Sequence, residues 1–149
     1  MKTASTEKVA NSVRVNRPAS EAAPELNAAA QVATAAKSGP VELLREPYPG
    51  DTTREIVLLR ATFAPGDSTP PHHHPGVVVG YVLTGEYEFQ LEGQPLQKLT
   101  AGDQFYEPPE SAHVVSRNPG QSTTQVLAFI VRDQGAGVMI PLPAPETSA

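Results

Sequence analysis

The sequence predicts a mainly β fold over residues 41–133, and three observations support this prediction. Short apolar stretches alternate with polar residues, most clearly where Tyr87, Phe89 and Leu91 are separated by acids and glutamine. Proline, glycine, asparagine and aspartate interrupt these stretches at close intervals. No part of this region has a sustained helical period. Many short antiparallel strands at this spacing are typical of a β-sandwich or a closed barrel.

Nine strands are expected in chain order, each a short alternating or β-branched run bounded by turn residues. The turns Thr84-Gly85 and Glu92-Gly93-Gln94-Pro95 delimit the clearest strand, which has one buried face and one wet face. The expected strands are Val41–Leu44, Glu55–Ala64, His72–His74, Val77–Leu83, Glu86–Glu92, Leu96–Leu99, Gln104–Tyr106, Ala112–Arg117 and Gln125–Arg132.

Both ends of the chain differ in composition from this middle region. Residues 1–40 are rich in Ala, Ser, Thr, Glu and Asn and contain no aromatic residue, so they bury too little apolar surface to offset their ordering entropy. The run Glu25–Lys37 has helical propensity, but an isolated helix of that length is marginal. We therefore expect a flexible, at most partly helical, N-terminal tail. Residues 134–149 form a second tail, in which the prolines of Met139–Pro145 lack backbone donors, so we expect an extended strip that joins no sheet.

The global composition excludes several classes of partner. A length of 149 residues suits one domain, and a net charge of −5 argues against a nucleic-acid-binding surface. The absence of cysteine excludes disulfides and thiolate metal sites. No apolar run approaches membrane-spanning length, and Met1–Ser20 contains no hydrophobic signal segment. We expect neither nucleic-acid nor membrane binding, with the cytoplasm as the default location.

All four histidines lie in two short segments of the middle region. Residues two apart on a strand point to the same side, so His72 and His74 share a face and His73 points away. A third imidazole from a neighbouring strand, His113, closes three ligand positions around one divalent metal and leaves other positions open, as in a catalytic metal site. The alternative is an exposed histidine loop that binds metal only by accident.

The two histidine segments resemble the two sequence motifs of the cupin superfamily. The first motif reads G-x5-H-x-H-x3,4-E-x6-G. Gly66, His72, His74 and Gly85 match it in register, but Val78 stands where the family has glutamate. Two spaced motifs in one chain are far more specific than a lone H-x-H.

The second motif of that family reads G-x5-P-x-G-x2-H-x3-N. Gly102, Pro108 and His113 match it, whereas Glu110 replaces the motif glycine and Asn118 comes one residue late. Together the two motifs cover roughly the middle 55 residues, and the strand pattern extends the resemblance over most of the middle region.

The resemblance implies a double-stranded β-helix, the cupin jelly-roll barrel, with a metal at its centre. By this resemblance the ligands are His72, His74 and His113. Val78 cannot coordinate, so one further position opens to water, substrate or dioxygen. Fe, Zn, Ni, Mn and Cu all suit such a ligand set. Cupins of this size commonly form homodimers, and Val41–Leu44 is the edge strand available for pairing.

Glu107 is the candidate catalytic residue. Period two places it on the same face as Phe105, so it points toward the metal if Phe105 packs into the barrel. A carboxyl group in an apolar barrel has a raised pKa, which suits a general acid or base near neutral pH. In the alternative, Glu107 bonds a backbone group or an arginine and only holds the loop that follows.

Three arginines are candidates for binding a substrate carboxylate: Arg60, Arg117 and Arg132. In the alternative, each of them is a surface residue.

These features leave two main functional hypotheses. In the first, the chain is a metalloenzyme acting on a small oxygenated organic substrate, either a dioxygenase or a metal-assisted cyclase or isomerase in which Glu107 moves a proton. In the second, it is a non-catalytic cupin that binds a small ligand or a metal. A purely structural dimerisation unit is a third reading, but it leaves the clustered histidines unexplained. The orientation of Glu107 discriminates between the first two.

Overall fold

The computed structural model describes residues 38–143, which form ten β-strands and no helix. Within these residues there is consequently no helix long and apolar enough to cross a membrane. The strands are β1 Gly39–Tyr48, β2 Asp51–Phe63, β3 His72–His73, β4 Gly76–Thr84, β5 Glu86–Leu91, β6 Gln97–Thr100, β7 Gln104–Glu107, β8 His113–Arg117, β9 Thr124–Asp133 and β10 Ile140–Pro141.

The strands form two five-stranded antiparallel sheets that share one core. Their orders are β1-β2-β9-β4-β7 and β10-β3-β8-β5-β6. The first sheet contributes Phe63, Val82 and Phe105 to the main hydrophobic cluster. The second sheet contributes Tyr87 and Phe89. Because the inner faces of both sheets meet in this cluster, the expected mainly β, double-stranded β-helix fold is confirmed.

All nine strands expected from the sequence are present with shifted ends. The largest difference is in β1, which extends to Tyr48 and pairs with β2 along nearly its whole length. β1 is an edge strand, exposed at all but its first residue. It therefore remains available for the homodimer contact, which stays a prediction.

The expectation that the proline-rich C-terminal segment joins no sheet was wrong. β10 pairs antiparallel with β3, and Leu142 N donates to Pro71 O at 3.0 Å. A proline lacks its own donor, but its neighbours keep theirs and its carbonyl still accepts a hydrogen bond. The expected N-terminal tail lies outside the described residues, except that Gly39 and Pro40 already belong to β1.

Close packing between β4 and β7 sets the direction of the β7 side chains. Gly80 is the cross-strand partner of Phe105, and a Cβ at Gly80 would lie 2.0 Å from the Phe105 ring. The missing side chain at Gly80 therefore leaves room for Phe105 to fill the barrel. Two residues later, Glu107 shares the same inward face.

A buried ion pair links β2 and β9 on the inner face of the first sheet. Arg132 is 1% exposed, and its Nε donates to Glu55 Oε1 at 2.9 Å. The same carboxylate accepts hydrogen bonds from Arg45 Nη1 of β1 at 3.1 and 3.2 Å. The Glu55 carboxylate thus compensates charges from both neighbouring strands.

Candidate metal centre

Three of the four histidines converge between the two sheets. His72 of β3 is the direct cross-strand partner of His113 of β8, and His74 follows immediately after β3. One nitrogen atom from each ring lies within 4.8 Å of the other two. His72 and His113 are only 3% and 2% exposed, so the reading as an exposed histidine loop is excluded.

Backbone carbonyl groups orient two of these rings. His72 Nδ1 lies 2.8 Å from Pro70 O, and His74 Nδ1 lies 2.5 Å from Val138 O. Because a carbonyl oxygen only accepts, each Nδ1 carries the proton and each Nε2 keeps a free lone pair. An outer hydrogen bond of this kind is the usual support of a metal-binding imidazole.

Burial also keeps the three imidazoles neutral. It lowers the pKa of His74 to about 4 and that of His113 to about 3, and it lowers the pKa of His72 as well. At neutral pH all three rings are therefore in the form that binds a metal ion.

Glu107, at the end of β7, faces the same cluster. Its Oε2 lies 3.4 Å from His113 Nδ1 and 3.8 Å from His74 Nε2. The residue is 2% exposed, and burial raises the pKa of its carboxyl group to about 8. Within residues 38–143 Glu107 has no arginine partner and its Oε2 has no hydrogen-bond partner, which argues against the alternative in which it bonds a backbone group or an arginine and only holds the loop.

Val78 and Glu107 are direct cross-strand neighbours on β4 and β7. Val78 is 1% exposed and packs with Val57, Leu59 and Ile130 in a second apolar cluster. The position where the resemblance expects a carboxylate is thus an apolar wall, and a carboxylate occupies the adjacent position on the next strand.

The residues at this point fit a divalent metal ion. Glu107 Oε2 and both ring nitrogens of His113 are buried and have no hydrogen-bond partner in the part of the chain that the structure describes. Buried polar atoms are nearly always paired, so these atoms call for a ligand. Imidazole nitrogens together with a carboxylate oxygen are a donor set typical of first-row transition metals.

The cluster lies in a cavity of about 380 Å³, within the range of small-ligand sites. Exposed residues at its edge include Ser38, Pro40 and Met139. Besides the cluster, its polar lining includes the carboxylate of Asp67 and the hydroxyl pair of Tyr87 and Ser116, 2.8 Å apart. Its apolar walls include Leu59, Ala61, Phe63, Phe105, Val126 and Ala128.

The three candidate arginines and His73 do not line this cavity. None of the arginines proposed as substrate anchors lines it: Arg132 pairs with Glu55 and Arg117 with Glu88. His73 is turned away from the cluster, and its Nδ1 lies 2.6 Å from Glu110 Oε2. The sequence reasoning missed the carbonyl of Val138, because it assigned the C-terminal segment no pairing role.

Comparison with known proteins identifies the family. Residues 59–130 match the family model described as the cupin domain. The chain belongs to the cupin superfamily. Both histidine segments lie inside the matched region, so the motifs and the family model agree.

Two named proteins are similar to part of this chain. This cupin is 36% identical over 88 residues to germin-like protein subfamily 2 member 2 of Arabidopsis thaliana, a match that covers 56% of this chain and 40% of the relative. It is 32% identical over 83 residues to oxalate oxidase 1 of Hordeum vulgare, covering 55% of this chain and 39% of that protein. The chain thus spans about two fifths of the length of these curated relatives.

Among solved structures, an uncharacterised protein with a double-stranded β-helix domain from Klebsiella pneumoniae is similar, with a TM-score of 0.54 and 19% identity. The match covers 72% of this cupin and 89% of that chain. At this level of identity the likeness supports the fold.

Proposed function

We propose that this cupin is a metal-dependent enzyme acting on a small oxygenated organic substrate, with one divalent transition metal held by His72, His74 and His113. The observation that carries the proposal is the convergence of three neutral imidazoles, two buried and one half-buried, in one cavity of the barrel. Of the candidate metals Fe, Zn, Ni, Mn and Cu, the ligand types alone select none.

A metal bound there would act as a Lewis acid that polarises a carbonyl or enolate oxygen. The protein's own groups supply the rest of the chemistry. The apolar walls exclude water from the substrate, and the carbonyl groups of Pro70 and Val138 hold the His72 and His74 rings in place. Glu107 is the group that accepts or donates a proton, because its carboxylate lies inside the cavity beside the histidines.

Two reaction classes fit this arrangement: oxidation of the substrate by dioxygen, and cyclisation or isomerisation through a proton transfer. A similar protein is named oxalate oxidase, which supports a small, oxygen-rich substrate for an oxidoreductase of this type. The second candidate is a cupin that binds a small ligand or metal without turnover. Val78 favours it, since the carboxylate of the first family motif is missing from its usual position.

The metal content of purified single variants tests the proposal. His72→Ala, His74→Ala and His113→Ala should each lose most of the metal measured by inductively coupled plasma mass spectrometry. His73→Ala is the matched control and should retain it, because His73 is turned toward Glu110. Equal losses from His73 and His74 would overturn the ligand set.

Turnover tests the enzymatic part. Oxygen uptake and product masses are measured with a panel of small hydroxy acids, enediols and 1,3-diketones. For any substrate found, Glu107→Gln should lower turnover about a hundredfold when rates are normalised to bound metal, since an amide cannot accept the proton. Binding of panel compounds without any product would favour the non-catalytic cupin instead.

A further inference from the structure

The carboxylate missing from the first family motif has a counterpart on the adjacent strand. Val78 occupies the motif position on β4, and its direct partner across the β4–β7 pair is Glu107. Side chains directly opposite each other in an antiparallel pair have Cβ atoms about 4.5–5.5 Å apart. A carboxylate on β7 can therefore reach the region that a carboxylate on β4 would occupy.

We propose that Glu107 is the fourth protein ligand of the metal, supplied from β7 in place of the motif carboxylate on β4. The inference rests on the three-histidine site proposed above and adds a ligand that the family motif does not contain. It also makes positions 78 and 107 interdependent, because only one of them needs to carry the carboxylate.

The distance from Glu107 to His113 is that of groups that share one ion, and the distance to His74 is slightly longer. Two atoms that each bind a metal at about 2.1 Å lie about 3–3.5 Å apart. Glu107 Oε2 is 3.4 Å from His113 Nδ1 and 3.8 Å from His74 Nε2. The carboxylate of Glu107 therefore lies beside the same nitrogen atoms that form the histidine cluster.

Among residues 38–143, the surroundings of Glu107 contain no other partner for its charge. Its Oε2 accepts no hydrogen bond, and none of the residues that line the cavity is a lysine or an arginine. A buried carboxylate without a cation or donors is costly, and metal coordination is one of the few arrangements that compensates it. Three neutral imidazoles and one carboxylate leave a divalent ion with a net charge of +1.

Ligation through one oxygen is compatible with the proton transfer assigned above. A carboxylate that binds a metal through Oε2 keeps Oε1 free as an acceptor. Val78 also fits this arrangement, because a second carboxylate opposite Glu107 would place two negative charges side by side. The apolar side chain at 78 instead closes the wall behind the ligand.

A carboxylate exchange between the strands tests the proposal. Four proteins are compared: wild type, Glu107→Val, Val78→Glu/Glu107→Val, and the control Glu110→Gln, which changes an acid outside the cluster. Zinc affinity is measured by competition with a chromophoric chelator, and the visible spectrum of the Co²⁺-loaded protein reports the coordination. We expect Glu107→Val to weaken zinc binding at least 10- to 100-fold, a loss that even outer-sphere changes cause.

The exchanged double variant should recover most of the affinity and a Co²⁺ spectrum close to that of the wild type, while Glu110→Gln should match the wild type throughout. Unchanged affinity in Glu107→Val, or no recovery in the double variant, would refute the exchange. If the valine variants fail to fold by circular dichroism, Glu107→Gln replaces Glu107→Val and must show the same loss.

The histidine variants keep this outcome separate from that of the proposed function. If His113→Ala abolishes zinc binding while Glu107→Val retains it, only the fourth ligand is wrong. If His113→Ala retains zinc, the metal site itself is wrong.

Discussion

Glu110 has a backbone conformation that favours glycine, and this makes a quantitative prediction possible. Its φ is 60°, the only positive φ of a non-glycine residue in the described part of the chain. The same position is glycine in the second family motif. The N–H of Glu110 donates to His74 O at 3.0 Å, so this turn is tied directly to the candidate metal centre.

We expect Glu110→Gly to stabilise the protein. The left-handed conformation costs a residue with a Cβ about 1–2 kcal/mol, and glycine avoids this cost. Glycine also gains freedom in the unfolded chain, which removes about 0.4–1 kcal/mol of the benefit. The net gain in the free energy of unfolding should be about 0.5–1 kcal/mol relative to an alanine at the same site.

Glu110→Ala is the matched reference, because it removes the carboxylate near His73 but keeps the strained backbone. Glu110 is an exposed residue, so that contact contributes about 0–1 kcal/mol. Urea unfolding of both variants measures the difference as a shift in midpoint at constant slope. An alanine variant as stable as the glycine variant, or more stable, would show that the turn stores no strain.

Three further predictions concern the buried ion pair and the buried histidines of the barrel. Glu55→Ala should cost about 3–5 kcal/mol in urea unfolding, because it leaves the Arg132 guanidinium buried without its carboxylate; a loss below about 1 kcal/mol would mean that Arg132 reaches water. The protein should retain its metal at pH values well below 6.5, the ordinary pKa of imidazole. Burial lowers the pKa to about 4 for His74 and about 3 for His113, so protons compete with the metal for these nitrogens only at acidic pH. Because of the same lowered pKa values, the metal-free protein should lose stability as the pH falls below 6.5. In that range the imidazoles of the unfolded chain bind protons, whereas the buried imidazoles of the folded protein stay neutral. Metal content after dialysis at pH 7, 6, 5 and 4 checks the retention of metal, and half-release near pH 6.5 would contradict it. Urea unfolding of the metal-free protein at the same pH values checks the loss of stability, and an unchanged midpoint would contradict that prediction.

The strands and the direction of the key side chains were predictable because they depend on local alternation. Phe105 and Glu107 lie on the same buried face of β7, as their spacing of two residues predicted. His73 points away from His72 and His74, as the same spacing predicted. The alternation of His72 and His74 likewise placed both on the side where His113 arrives.

Features that depend on pairing between distant segments were not predictable from the residues alone. The contact of Glu107 with the Val78 position follows from the register of β4 on β7, which no local pattern encodes. The proline argument considered only the donors that prolines lack, so it missed β10. The positive φ at Glu110 had a signal, since the family motif has glycine there, but one sequence cannot show that a replaced glycine keeps its conformation.

The contact between His74 and Val138 also affects the order in which the metal centre can be assembled. The two residues are 64 positions apart, and Val138 lies beyond every other residue that contributes to the centre. A chain synthesised from its N-terminus therefore presents the three histidines and Glu107 before the carbonyl that orients His74 exists. The barrel's strands up to β9 precede this contact, so a chain synthesised only as far as β9 lacks the carbonyl that holds the His74 ring.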